Sequence, residues 1–163
     1  MITLKPNDAQ LEFAKKQSAA LPIRNTSYHI VPEGRNYVGF VGEKAVADLI
    51  ACDHSPSYEY DLILKDGRTV DCKTFSNKYY PKDNFECHVM KKRKQQSCDI
   101  YLFSSYNREK NILHLCGYMP RDEFYSKAKQ IKKGDNSDIN NIKYRADGYI
   151  IKVGELYPIE DLL

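Results

Sequence analysis

Two aspartates and a lysine stand close together near the middle of the chain, Asp61 in YEYDLIL and Asp71 and Lys73 in RTVDCKTF, with Lys65-Asp66-Gly67 between the two runs. β-Favouring residues on both sides of an Asp-Gly pair read as a hairpin. The loop length decides whether the carboxylates cooperate, because a one-residue slip turns a side chain to the opposite face. A two-residue Asp66-Gly67 loop sets Asp61 opposite Cys72 and sends the carboxylates to opposite faces. A three-residue loop, with Gly67 left-handed in a bulge, pairs Asp61 with Asp71, Leu62 with Val70 and Tyr60 with Cys72. The second register is preferred. It gathers Tyr60, Leu62, Leu64, Val70 and Cys72 on an apolar face, and Asp61, Thr69, Asp71 and Lys73, with Ile63, on the other.

Adjacent carboxylates repel each other unless a proton or a cation lies between them, so the pair favours a hard divalent ion. Magnesium suits it, since that ion keeps several waters and takes few carboxylates plus phosphate oxygens. Such an ion neutralises charge on a reacting phosphoryl group and lowers the pKa of an attacking water. Lys73 then has two sensible jobs: holding a phosphate oxygen, or positioning and helping to deprotonate that water. A D-x-K triplet by itself is common on exposed strands.

The elements around the hairpin follow from periodicity and punctuation. Asn7 or Asp8 caps a first helix running to about residue 20, and residues 21–35 read as a loop. A second helix is expected over 36–51, with Val38, Val41, Ala45 and Leu49 on one face and Glu43 at the border of the buried stripe. Gly39 and Gly42 weaken that helix by propensity, which points to a close backbone approach. Further strands are expected over 85–90, 100–105, ILHLCGYMP and 149–153. The basic run at 91–96 reads as helix or turn, Asp122 as the cap of a helix over 123–132, and KKGDNSDINN at 132–141 as a flexible segment.

A chain of 163 residues with 42% hydrophobic content is long enough for one ordinary domain, here taken as 1–163. Within it lie an N-terminal helix and loop at 1–35, a core at 36–106, and C-terminal strands and a helix at 107–163. Net charge is only +3, so any basic surface must be local. The five cysteines form no C-x-x-C pair, which predicts free thiols in a reducing compartment. No apolar run has the length of a signal peptide or a membrane span, so a soluble cytoplasmic protein without membrane attachment is expected. Nothing in the sequence calls for a small organic cofactor.

The succession of a helix with Gly42-Glu43, a strand with Asp61, a strand with Asp71-Cys72-Lys73, a third strand, a basic helix and the DIYLF strand resembles the core of the PD-(D/E)xK nuclease superfamily. The resemblance covers about 36–106. It implies an α/β, restriction-endonuclease-like fold with a mixed central β-sheet flanked by helices. By that similarity Asp61 and Asp71 are metal ligands, Lys73 is the catalytic lysine, Glu43 completes the metal site and the Cys72 carbonyl is a further ligand. Tyr60 stands where the motif name has proline.

The implied activity is that of a magnesium-dependent DNA endonuclease, manganese substituting, like the single-domain nucleases of phages and mobile elements. The alternative is an inactive DNA-binding protein on the same fold. DNA phosphates are expected at Lys91, Lys92, Arg93 and Lys94, and at Lys78 and Lys82, where Tyr79 and Tyr80 offer stacking surfaces. A homodimer is compatible with cutting both strands.

Overall fold

The computed structural model describes residues 1–20, 35–92, 96–137, 139 and 142–163. The loop expected at 21–35 lies almost wholly outside them, as do Arg93 and Lys94 of the basic run. Strand β1 (Ile2–Leu4) leads into helix α1 (Asp8–Ala20), and helix α2 (Arg35–Ile50) is followed by β2 (Asp53–His54), β3 (Leu62–Ile63) and β4 (Thr69–Ser76). Then come β5 (Glu86–Met90), β6 (Ile100–Asn107), β7 (Ile112–Pro120), α3 (Arg121–Lys127), β8 (Lys129–Ile131) and β9 (Gly148–Lys152). Asn7 caps α1: its side-chain oxygen accepts the Gln10 N–H at 2.9 Å, while Gln10 reaches back to the Asn7 N–H.

The main sheet has six strands in the order β1-β7-β6-β4-β3-β2, mixed because β4 and β6 run parallel while the other neighbours are antiparallel. Its two faces carry different cores. On one side α1 and α2 pack Ala14, Val38, Val41, Ala45 and Val46 against Leu62, Val70, Leu102, Leu113 and Leu115. On the other, a three-stranded sheet in the order β5-β9-β8, together with α3, packs Cys87, Val89, Ile151 and Phe124 against Tyr101, Phe103 and Met119. All of β6 is buried because it is covered twice, which is why IYLFSSYN carries no charge. Ile100 and Leu102 face the helices; Tyr101 and Phe103 face the small sheet. This is a mixed α/β protein, and among its described residues no helix is long and apolar enough to cross a membrane.

Several expectations need correction. The sheet is flanked by long helices on one face only, since the small sheet covers most of the other. The third strand forms close to its expected place, as β5, but pairs with β9 instead of joining the hairpin's sheet. No helix includes Lys91, Lys92 or residues 96–99. Helix α3 starts at Arg121 with Pro120 at its cap and Asp122 merely in the first turn. It also stops early. Ala128 is extended, and Lys129–Ile131 pairs with β9, a tertiary demand that overrides helix propensity. The polar segment expected to be flexible is packed where it is described: Asn136 bridges Lys143, and Ser137 is buried. The core at 36–106 is not self-contained either, because β6 needs β7 and the helix-side core takes in Ile159 and Leu162 from the tail.

Candidate active site

The hairpin adopts the preferred register, pairing Leu62 with Val70 and Ile63 with Thr69. Gly67 has φ +88° and its N–H donates to the Leu64 carbonyl at 2.9 Å, while the Leu64 N–H donates to the Arg68 carbonyl at 2.8 Å across the turn. The ladder ends before Asp61, whose N–H donates to the Val70 carbonyl at 2.9 Å. Asp61 and Asp71 are therefore not a regular cross-strand pair, and Tyr60 turns to the small-sheet core instead of lining the helix side. The Asp61 carboxylate crosses to β4 by accepting the Cys72 N–H at 2.7 Å.

Asp71 and Lys73 lie on the face of β4 turned toward the small sheet, and Asp71 is 2% exposed. Lys73 forms an ion pair with Asp71, and the Gln96 carboxamide joins them: its Nε2 donates to Asp71 Oδ1 and its Oε1 accepts from Lys73 at 3.2 Å. Gln96 also donates to the Tyr58 carbonyl at 3.2 Å. The segment that carries it is pinned on both sides. Ser97 N–H reaches Glu59 at 2.8 Å, and the Asp99 carboxylate accepts the Thr69 N–H and hydroxyl, both at 2.8 Å.

Glu43 arrives from α2, buried, with Oε2 3.1 Å from His54 Nε2. His54 is held in turn by the edge of the Phe13 ring at 5.1 Å. The expected close approach occurs at Gly42, where a Cβ would stand 1.9 Å from Thr74 Oγ1 on β4. Gly39 shows no such constraint.

Burial, and next the Glu43 and Asp71 carboxylates, raise the Asp61 pKa to about 8 despite the Cys72 N–H and the Lys73 ammonium. Burial works against the Lys73 ammonium too, but the Asp71 carboxylate against it wins and raises its pKa. Lys73 therefore keeps its proton at neutral pH. Burial and the same three carboxylates push the Cys72 thiol well up, so its sulfur is not an anionic ligand.

Among the described residues no set of three or more His, Cys, Asp or Glu side chains forms a ready-made metal cage. Magnesium asks for less, one or two carboxylates with waters and phosphate oxygens. The residues present meet that demand. Among the described residues, Asp71 Oδ2 is buried without an aligned hydrogen bond, and the Lys73 ammonium lies against it. Asp61 retains a proton that a cation would replace.

Of the expected phosphate contacts, Lys92 lies nearest the centre. Its ammonium sits 5.2 Å from the Tyr58 ring centroid, and burial, then the Lys73 charge, lower its pKa. Lys91 and Lys82 are exposed, and Lys78 is paired with Glu109 at 2.5 Å. Gln96 and His54 were not expected in the site. Gln96 carries no local signal, since it reads as the polar end of a basic run, and His54 lies in the short stretch between α2 and the hairpin with no pattern to mark it.

No family model matches this chain, and a search of curated proteins returns no match. Function is therefore argued from the site itself.

Proposed function

We propose that this chain is a metal-dependent deoxyribonuclease of the PD-(D/E)xK type, hydrolysing DNA phosphodiester bonds at Asp61, Asp71, Lys73 and Glu43. One observation carries the reading: the Glu43 and Asp71 carboxylates, from α2 and β4, together with burial raise the pKa of Asp61 on the hairpin, in a buried place that also holds a protonated lysine. A fold needing only stability would have little use for it, because crowded buried carboxylates are costly. The resemblance now rests on α2, the β3–β4 hairpin and β6.

Asp61 and Asp71, with Glu43 and the Cys72 carbonyl, would hold magnesium or manganese. When bound, that ion supplies charge neutralisation at the scissile phosphate and acidifies water. Lys73, protonated, binds a phosphate oxygen and stabilises the charge that builds on it; the role of base does not suit it in this state. Gln96 positions Asp71 and Lys73 by bonding to both. Lys92 and Lys91 give the backbone a positive surface, with Arg93 and Lys94 next to them in sequence and Lys78 and Lys82 in the loop after β4.

The test is to incubate wild type and Asp71→Asn with linear, supercoiled, single-stranded and four-way-junction DNA in magnesium, manganese or EDTA. Cutting should require metal and fall by roughly a thousandfold or more in the variant, which loses a ligand and a charge partner. An Asp71→Asn protein that cuts normally would end the assignment. Wild type that binds DNA but never cuts would make the chain a DNA-binding relative instead.

A further inference from the structure

A second polar cluster lies farther along the same face of β4. Phe75 follows Lys73 by two residues, which puts it on the same side about 7 Å along the strand. There a cavity of about 200 Å³ is lined by Phe75, Phe85, Glu86, His88, Ser137 and Ile139. Its aromatic walls meet at angles instead of stacking on each other: Phe75 stands 6.1 Å from Phe85 at 65°, and 6.3 Å from His88 at 66°. One face of Phe75 is taken by Phe103, stacked at 6.4 Å and 7°, so a flat guest has the cavity side of Phe75 with Phe85 and His88 as its walls.

Glu86 supplies the polar floor. Its side chain is 8% exposed, and it accepts hydrogen bonds from Ser137 Oγ on Oε2 and from the Tyr144 hydroxyl on both oxygens, all at 3.0 Å. The only basic group set near it among the described residues is His88, at 3.7 Å, and burial lowers the pKa of that imidazole more than Glu86 raises it. A carboxylate has about four lone-pair sites. Oε1 therefore keeps one for a donor from the cavity.

We propose that this cavity receives one unpaired base of single-stranded DNA, stacked on the aromatic walls, with the amino group of adenine, cytosine or guanine donating to Glu86. The proposal rests on reading the neighbouring centre as one that acts on DNA, and it adds a preference for unpaired substrate. A base has a π-face whatever its identity, so the walls give affinity while Glu86 discriminates. Thymine fits worst: its N3–H lies between carbonyl oxygens that would face the carboxylate. A base pair is too wide for the space.

The test uses the full chain in EDTA, where binding is read without cutting, by anisotropy with short dT oligonucleotides that carry a single dA, a single dC or no substitution. The substituted strands should bind about tenfold tighter than all-dT, the discrimination that one base contact gives. Ile139→Trp, which fills the cavity from a position 42% exposed, should erase that difference, bringing the substituted strands to the all-dT level, with all-dT binding itself weakened by the loss of the stacking walls. Glu86→Gln, checked for folding by circular dichroism, should reduce it. Equal affinities in wild type, or a preference that survives Ile139→Trp, would overturn the pocket. Wild type that keeps the preference yet cuts nothing in magnesium would defeat the nuclease reading alone. Wild type that cuts but binds all the strands alike would defeat the pocket alone.

Discussion

Asp71, on the face of β4 turned to the small sheet, and Glu86, on β5, are both buried carboxylates, and they are satisfied in opposite ways. Glu86 stands by itself and is held by neutral hydroxyls, those of Ser137 and Tyr144. Asp71 has an ammonium and a carboxamide against it, yet shares its surroundings with Asp61 and Glu43. A lone buried acid can be settled by hydrogen bonds, which take the place of its lost water. A crowd of acids cannot, because hydrogen bonds satisfy lone pairs without removing like-charge repulsion. The contrast separates a place built to accept a donor from a place short of positive charge.

Changes in each cluster should therefore fail in different currencies. After Asp71→Asn, the largest effect is expected from Lys73→Ala, which should lower the rate of metal-dependent cutting by about a hundredfold or more while magnesium affinity, read by calorimetry, stays within a few-fold. A loss confined to magnesium affinity would contradict the role given to Lys73. Tyr144→Phe should act on the fold instead. Removing hydroxyl bonds to a buried acid costs about 2 kcal/mol, roughly 4–8 °C in melting temperature for a chain of this size. Cutting at a temperature well below the melt should be little changed, and a large drop there would join the two clusters that the comparison keeps apart.

Asp61→Asn should run the other way. It removes one member of the crowd and can still accept the Cys72 N–H, so in EDTA at neutral pH it should stabilise the fold by about 1 kcal/mol, with the gain shrinking when magnesium is added. A lower melting temperature in EDTA would mean that the carboxylates are not under mutual strain. The smallest effect belongs to a site outside both clusters. Ala51 takes the left-handed conformation, φ 53°, as α2 ends ahead of His54. Ala51→Gly relieves a cost of about 1 kcal/mol, so a modest rise in melting temperature is expected, and no rise would show that the backbone bears no strain there.

The hairpin was legible because its information is local: Gly67 and the alternation around it fix the register without reference to the rest of the chain. Gly42 was legible for a related reason, since a glycine in a helix that otherwise reads well points to a neighbour too close for a side chain. Asp71 and Lys73 stood out by type and spacing and Glu43 through the resemblance, and the structure brings all three close to Asp61. Gln96 was not, because its importance comes from a segment pinned to Glu59 and Thr69, contacts made across the sheet and invisible along the sequence. The partner of β5 was hidden in the same way. The 86–90 run reads as a strand in either sheet, and only packing against β9 and the Phe103 layer decides between them. The early end of α3 shows the reverse, a helical signal overruled when an edge of the small sheet needed a third strand.

The parallel pairing of β4 with β6 bears on when the centre comes into being. Thr74 and Ser104, neighbours across that pair, are 30 residues apart in sequence, and the intervening chain contributes both β5 and Gln96. The hairpin closes over a short loop and forms early, whereas a parallel contact at that separation must first bring distant parts of the chain together. Asp61 and Asp71 are thus brought together by the fast step, while Gln96 reaches Asp71 only in the slow one. A chain still being synthesised, or caught half-folded, holds its acids before Gln96 is bonded to Asp71, and the cluster is complete only once the sheet has closed.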